Sequence, residues 1–165
     1  MSENPLGVVR FPGLAGLARG VVLVEADEQI GQVAADGLGA QERGQRLTVL
    51  GGKFVRIELW FGDSAVMLAD EFPEWQICSP QTVGGTSTVL NLFTQDVELL
   101  WQQAISAGAQ VFHPLEDAFW RDRHGQITDP FGHRWGLAQH VRDVPSEEVA
   151  RLAAHVFGRR EEEEG

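Results

Sequence analysis

Glu58 is the residue whose type and placement are best suited to touch a metal ion, a proton or a ligand. It lies in Lys53–Phe61, where strand alternation puts Phe54, Arg56, Glu58 and Trp60 on one side and Val55, Ile57, Leu59 and Phe61 on the other. A strand carboxylate can act as a base or bond a ligand; beside Arg56 it can equally form an ion pair. His113, His124, His133, His140 and His155 share no short metal-binding spacing, but any one of them can exchange a proton near neutral pH. Asn91 suits hydrogen bonding to a ligand. Five tryptophans and nine phenylalanines occur with no tyrosine. Among them Trp60, Phe93, Trp120 and Trp135 would suit a flat apolar molecule, or equally a core. Arg121 and Asp122 could hold polar ligand groups or form a surface ion pair. The single Cys78 excludes an intrachain disulfide and any multi-cysteine metal site, and it carries no local signature of a catalytic thiol.

These side chains need elements to position them. Val21–Glu25 reads as a buried strand, and Asp27 caps a helix over about 28–38 that stops at Gly39. Arg46–Leu50, Lys53–Phe61 and Ala65–Ala69 read as a meander, turning at Gly51-Gly52 and Gly62-Asp63-Ser64. Residues 70–86, rich in Pro, Gly and Ser, read as a long connection. The pattern then restarts. Ser87–Phe93 is a strand, Asp96 opens a helix over 97–107 spaced by Leu99, Leu100 and Ile105, and Gly108 ends it. Strands follow over 110–115, 119–128 and 132–139. A last amphipathic helix opens at Pro145-Ser146 and is expected to end at Gly158.

The halves match in register as well as order. Asp27 and Asp96 stand 69 residues apart, and so do Gly39-Ala40-Gln41 and Gly108-Ala109-Gln110. A duplicated βαβββ unit follows. Each unit has one sheet face covered by its helix and one open face, and two such units would curve around a shared cleft. The division expected is an N-terminal arm over 1–18, a first module over 19–72, a connection over 73–86, a second module over 87–140, a C-terminal helix over 141–158 and an acidic tail over 159–165.

The chain has 165 residues and a net charge of −11, which disfavours nucleic acid and anionic membrane as partners. No apolar run reaches the roughly 18 residues of a membrane span. No secretory signal is visible at the N-terminus, so a cytoplasmic location is expected.

Phe119-Trp120-Arg121-Asp122-Arg123-His124-Gly125, Asp129-Pro130-Phe131-Gly132-His133-Arg134-Trp135-Gly136-Leu137-Ala138 and His140-Val141-Arg142-Asp143-Val144 together resemble the PhnB-like branch of the glyoxalase/bleomycin-resistance/dioxygenase (vicinal oxygen chelate) superfamily. Gly62–Glu71 resembles the same branch in the first half. The resemblance implies an α+β fold of two βαβββ modules with curved mixed sheets and a shared cleft, and usually a homodimer. It also implies four inward-facing metal-ligand positions in the metal-dependent members. By register these fall at Gly20 (or Arg19), Glu58, Val89 and Gly136, of which Glu58 alone has a ligating side chain. The expectation is therefore a metal-independent protein with no cofactor. It would bind a small apolar or aromatic molecule through Glu58, Trp60, Asn91, Phe93, Trp120, Arg121 and Trp135, as in drug or metabolite sequestration. The alternative is a metal-dependent or metal-free lyase, isomerase or dioxygenase, with Glu58 the candidate catalytic residue.

Overall fold

Alternating apolar positions dictate two mixed sheets that share one core. The computed structural model describes residues 22–24, 37–49 and 51–163. The expectations for the arm over 1–18, Gly20, Asp27 and most of the first helix lie outside the described residues. The first sheet contains β1 (Val22–Val24), β2 (Gln41–Glu42), β3 (Leu47–Thr48), β4 (Phe54–Phe61) and β5 (Ser64–Ala69). Its order is β1-β5-β4-β2, with β3 also on β4 and β1 parallel to β5. The second contains β6 (Val89–Phe93), β7 (Gln110–Asp117), β8 (Asp122–Thr128) and β9 (Arg134–His140), in the order β6-β9-β8-β7 with β6 parallel to β9. In both sheets the module's first strand lies beside its last, which is the repeat expressed as topology. The duplicated tripeptide behaves alike in both halves. Gly39 and Gly108 have φ of 69° and 101°, Ala40 and Ala109 are buried, and Gln41 and Gln110 begin strands.

The connection is more structured than its composition suggests. It holds a 3-10 turn at Pro73–Trp75 and a short helix, α1 (Pro80–Val83), capped by the buried Ser79, whose hydroxyl accepts from Thr82 N at 3.1 Å. The second-module helix α2 (Val97–Ser106) is capped by Asp96, which accepts from Leu99 N at 3.0 Å. Its buried residues are Val97, Leu100 and Ala104; Leu99 and Ile105 are exposed, so the spacing that flags the helix does not pick its inner face. The last helix, α3 (Ser146–Glu163), runs through Gly158 instead of ending there. A single glycine costs a helix only about 1 kcal/mol relative to alanine and does not force a stop. None of the described helices is long and apolar enough to cross a membrane.

The core joins the modules. Ile57, Leu59 and Phe61 of β4 meet Ile127, Trp135 and Leu137 of the second sheet, along with Val97, Leu100 and Ala104 of α2. Phe61 and Trp135 lie 5.7 Å apart between ring centroids. At Gly37, just before the first Gly-Ala-Gln, a Cβ would come within 2.8 Å of Ala107 Cβ and 3.3 Å of Ala104 Cα. The absent side chain is what lets the two repeats approach so closely there. The sheets thus meet through their buried faces, and each keeps an opposite face turned away from the core.

Candidate functional site

The open face of the second sheet is built from alternate residues of four strands: Val89, Asn91 and Phe93 of β6; Arg134, Gly136, Ala138 and His140 of β9; Asp122, His124, Gln126 and Thr128 of β8; and His113 of the edge strand β7. Along β9 it extends roughly 20 Å. Its centre is Gly136, paired with Asn91 on one side and Gln126 on the other. A Cβ at position 136 would overlap Asn91 Oδ1 and stand 3.3 Å from His124 Nε2. The glycine therefore leaves room for the Asn91 carboxamide to lie over the strand, where it meets the His124 imidazole.

His124 is half-buried, and burial is the main reason its pKa lies below the usual 6.5; neighbouring Asp122 and Glu116 oppose the shift and His113 reinforces it. It is thus neutral at physiological pH. Trp120 lies beside it, 5.6 Å between ring centroids, with its Nε1 donating to Asp122 Oδ2 at 3.0 Å. Asp122 Oδ1 bonds His140 Nδ1 at 2.9 Å, and His140 Nε2 reaches Asp143 at 3.1 Å. The bond to Asp122 is the leading cause that raises the His140 pKa. At one end of the face the indole is thereby fixed by a carboxylate that is itself fixed by a histidine.

The first sheet offers a second open face, with Arg56, Glu58 and Trp60 on β4. Glu58 accepts from Arg56 and, at 3.3 Å, from Trp60 Nε1, and the Arg43 guanidinium lies 5.1 Å from the Trp60 ring centre.

The seven residues expected at a ligand divide four ways. Glu58 and Trp60 share the first face; Asn91, Phe93 and Trp120 share the second. Arg121, at φ 72° in the turn before β8, pairs with Glu148 of α3 at 3.9 Å. Trp135 is 2% exposed and belongs to the core, its Nε1 donating to Asp129 Oδ2 at 2.9 Å. It is the odd neighbour of Gly136 in a strand, so the two point to opposite sides. Gln126 and Arg134 did not stand out in the sequence as site residues, and His124 was one of five equivalent histidines. The signal that would have found them is alternation outward from Gly136 through β8 and β9.

The register also corrects one metal position. Gly136 pairs with first-strand Asn91 and third-strand Gln126; the residue so placed in the first module is Met67, which pairs with Val22 and Glu58. Glu58 is thus the counterpart of Gln126, one strand further from β1. Met67, Val89 and Gly136 offer no hard oxygen or nitrogen side-chain donor, so these positions do not fit a divalent ion. Among the described residues, no group of three or more His, Cys, Asp or Glu is placed to hold one.

Comparison with known proteins agrees with this architecture. A family model described as the Glyoxalase/Bleomycin resistance protein/Dioxygenase superfamily matches residues 45–137, more than half of the chain. The uncharacterized protein Mb0911c of Mycobacterium bovis is 41% identical over 103 residues, covering 59% of this chain and 66% of that protein. Rv0887c of Mycobacterium tuberculosis, also uncharacterized, is 41% identical over 103 residues, covering 59% of each. The match thus spans under two thirds of those relatives' length. Among solved structures, TioX from Micromonospora sp. ML1 superposes with a TM-score of 0.58 at 23% identity, covering 73% of this chain and 96% of TioX. TnmS3, an antibiotic binding protein from Streptomyces sp. CB03234, superposes at 0.56 and 20% identity, covering 73% and 93%. A glyoxalase-related enzyme from Fulvimarina pelagi superposes at 0.55 and 17%, covering 72% and 84%. At these identities the structural likeness speaks for the fold.

Proposed function

The chain belongs to the glyoxalase/bleomycin resistance protein/dioxygenase superfamily, and from that premise we propose that it is a metal-independent binding protein of the PhnB-like branch, holding a small apolar or aromatic molecule for sequestration. The observation that carries the reading is the convergence of Asn91 and His124 over Gly136. There Asn91 and a neutral His124 can bond a ligand's polar atoms, and Trp120 stands alongside as a stacking surface. The lack of donors at Met67, Val89 and Gly136 supports metal independence, and the structurally similar TnmS3, an antibiotic binding protein, is consistent with a binding role.

The working form is a cytoplasmic homodimer. A second copy would lay the Glu58–Trp60 face of one chain over the Asn91–His124 face of the other, closing a cleft that each chain leaves open.

Titration of the purified protein with planar aromatic compounds, read by tryptophan fluorescence, tests the reading. Saturable quenching that weakens in Trp120→Leu and Asn91→Ala is expected. A panel that neither quenches nor thermally stabilises the protein refutes it, and a stoichiometric divalent ion retained through purification refutes metal independence. A second reading rests on His124: held neutral beside Asn91, it could serve as the base of a metal-free enzyme. Turnover abolished by His124→Gln, with binding retained, would favour that reading.

A further inference from the structure

Acidic side chains outnumber basic ones by 24 to 13 in this chain, so carboxylates are in ample supply for its arginines. Arg46 pairs with Glu42, Arg56 with Glu58, Arg121 with Glu148, and Arg123 with Glu98 and Asp117. Arg142 and Arg151 are exposed to water. Arg134 fits neither pattern. It is half-buried, its Cζ lies 3.5 Å from the ring centre of Phe112, and its Nε is shut off from water without a hydrogen-bond partner. Among the described residues, no carboxylate forms an ion pair with it.

A guanidinium keeps its charge at any physiological pH, and desolvating it is costly unless something offsets the loss. Stacking on Phe112 offsets part of that cost through the ring's quadrupole. It also holds the planar fork in one orientation, which is the preorganisation a bidentate contact to a carboxylate needs. The position matters as much as the charge. Arg134 begins β9, paired with Val89 and Thr128, on the side of the sheet that carries Gly136 two residues on. That step is about 7 Å along the strand, within the overall length of a two- or three-ring aromatic acid.

We infer that Arg134 is the anion anchor of the second-module face and that the molecule bound there is an aromatic carboxylate, its acid group on the guanidinium and its rings against Asn91 and His124 above Gly136. The inference rests on the proposed role of that face as the ligand site and adds the ligand's charge.

The test uses a matched pair of probes, anthracene-2-carboxylate and anthracene-2-carboxamide, titrated calorimetrically into the full chain. The carboxylate is expected to bind at least tenfold more tightly, and only its affinity should fall when salt rises from 50 to 500 mM. Arg134→Met should bring the two affinities within about twofold of each other, while Arg134→Lys retains part of the preference; circular dichroism checks that both variants fold. Equal affinities in the unaltered protein, a comparison that needs no variant, would overturn the assignment while leaving an aromatic site. A preference that survives in Arg134→Met would overturn it too. Binding of neither probe would overturn the ligand face itself, so the two failures are distinguishable.

Discussion

Asp129→Ala should be among the most damaging single substitutions in the second module. The carboxylate organises the turn that delivers β9: Oδ1 accepts from Phe131 N at 3.0 Å and from His133 N at 2.9 Å, and Oδ2 accepts from Trp135 Nε1 at 2.9 Å. Hydrogen bonds to a charged acceptor contribute about 1.5–3 kcal/mol each in favourable cases. The three are not additive, because the two backbone donors can recover water when the turn loosens. The indole cannot, since Trp135 is 2% exposed, and a buried orphan donor costs about 1–3 kcal/mol. A loss of about 3–5 kcal/mol follows, a large share of the roughly 5–15 kcal/mol typical of a domain. Asp129→Asn keeps one acceptor but sets either an NH2 or the surviving oxygen against the indole, and should cost about half as much. Urea denaturation, followed by fluorescence and circular dichroism together, measures both values. An Asp129→Ala loss under 1 kcal/mol with an unchanged denaturant slope would refute the account.

Other predictions are more local. Gly136→Ala should cost less than about 1.5 kcal/mol of stability, because Asn91 is exposed and its carboxamide can swing aside; it should weaken aromatic ligand binding at least tenfold, as titration would show. Gly125→Ala is the converse case. Its Cβ would strike the Trp101 ring and stand 2.9 Å from Leu115 Cα, so about 1–3 kcal/mol of overpacking should appear in the denaturation midpoint with the open face untouched. NMR titration should find His140 above and His124 below the usual 6.5. The raised His140 value contributes stability that is present below the unfolded pKa and is lost as pH rises through the folded one; the lowered His124 value acts oppositely, costing stability as pH falls below 6.5. Asp122→Asn should lower the His140 value, since Asp122 is its leading cause, and an unmoved value would count against the pairing.

Much of the architecture was legible because duplication writes it twice. The 69-residue spacing carries a left-handed glycine and a buried alanine that recur at the same structural points, and alternation in β4 separates Ile57, Leu59 and Phe61 from Glu58 and Trp60 correctly. The site was read less well. Trp135 is aromatic and sits in a motif, but a one-residue change of parity along β9 moves it from ligand to core, and parity is fixed only by the partner strand. Glu58 was matched to the wrong strand for a similar reason, since a meander read from sequence does not say which of its strands lies beside β1. The short helices in the connection were hidden because Ser79 and the αL residues Gln76 and Gly84 set them by local capping, without hydrophobic periodicity.

The pairing of each module's first strand with its last also sets the order in which the chain can fold. The ladder Asn91–Gly136 joins residues 45 positions apart, whereas β8 and β9 are neighbours through the Asp129 turn. Closing a long loop costs entropy before any contact rewards it, so the local β7–β8–β9 meander should form early and β6 should enter last, alongside an already twisted β9. The Asn91 half of the candidate site is therefore assembled at the end of folding.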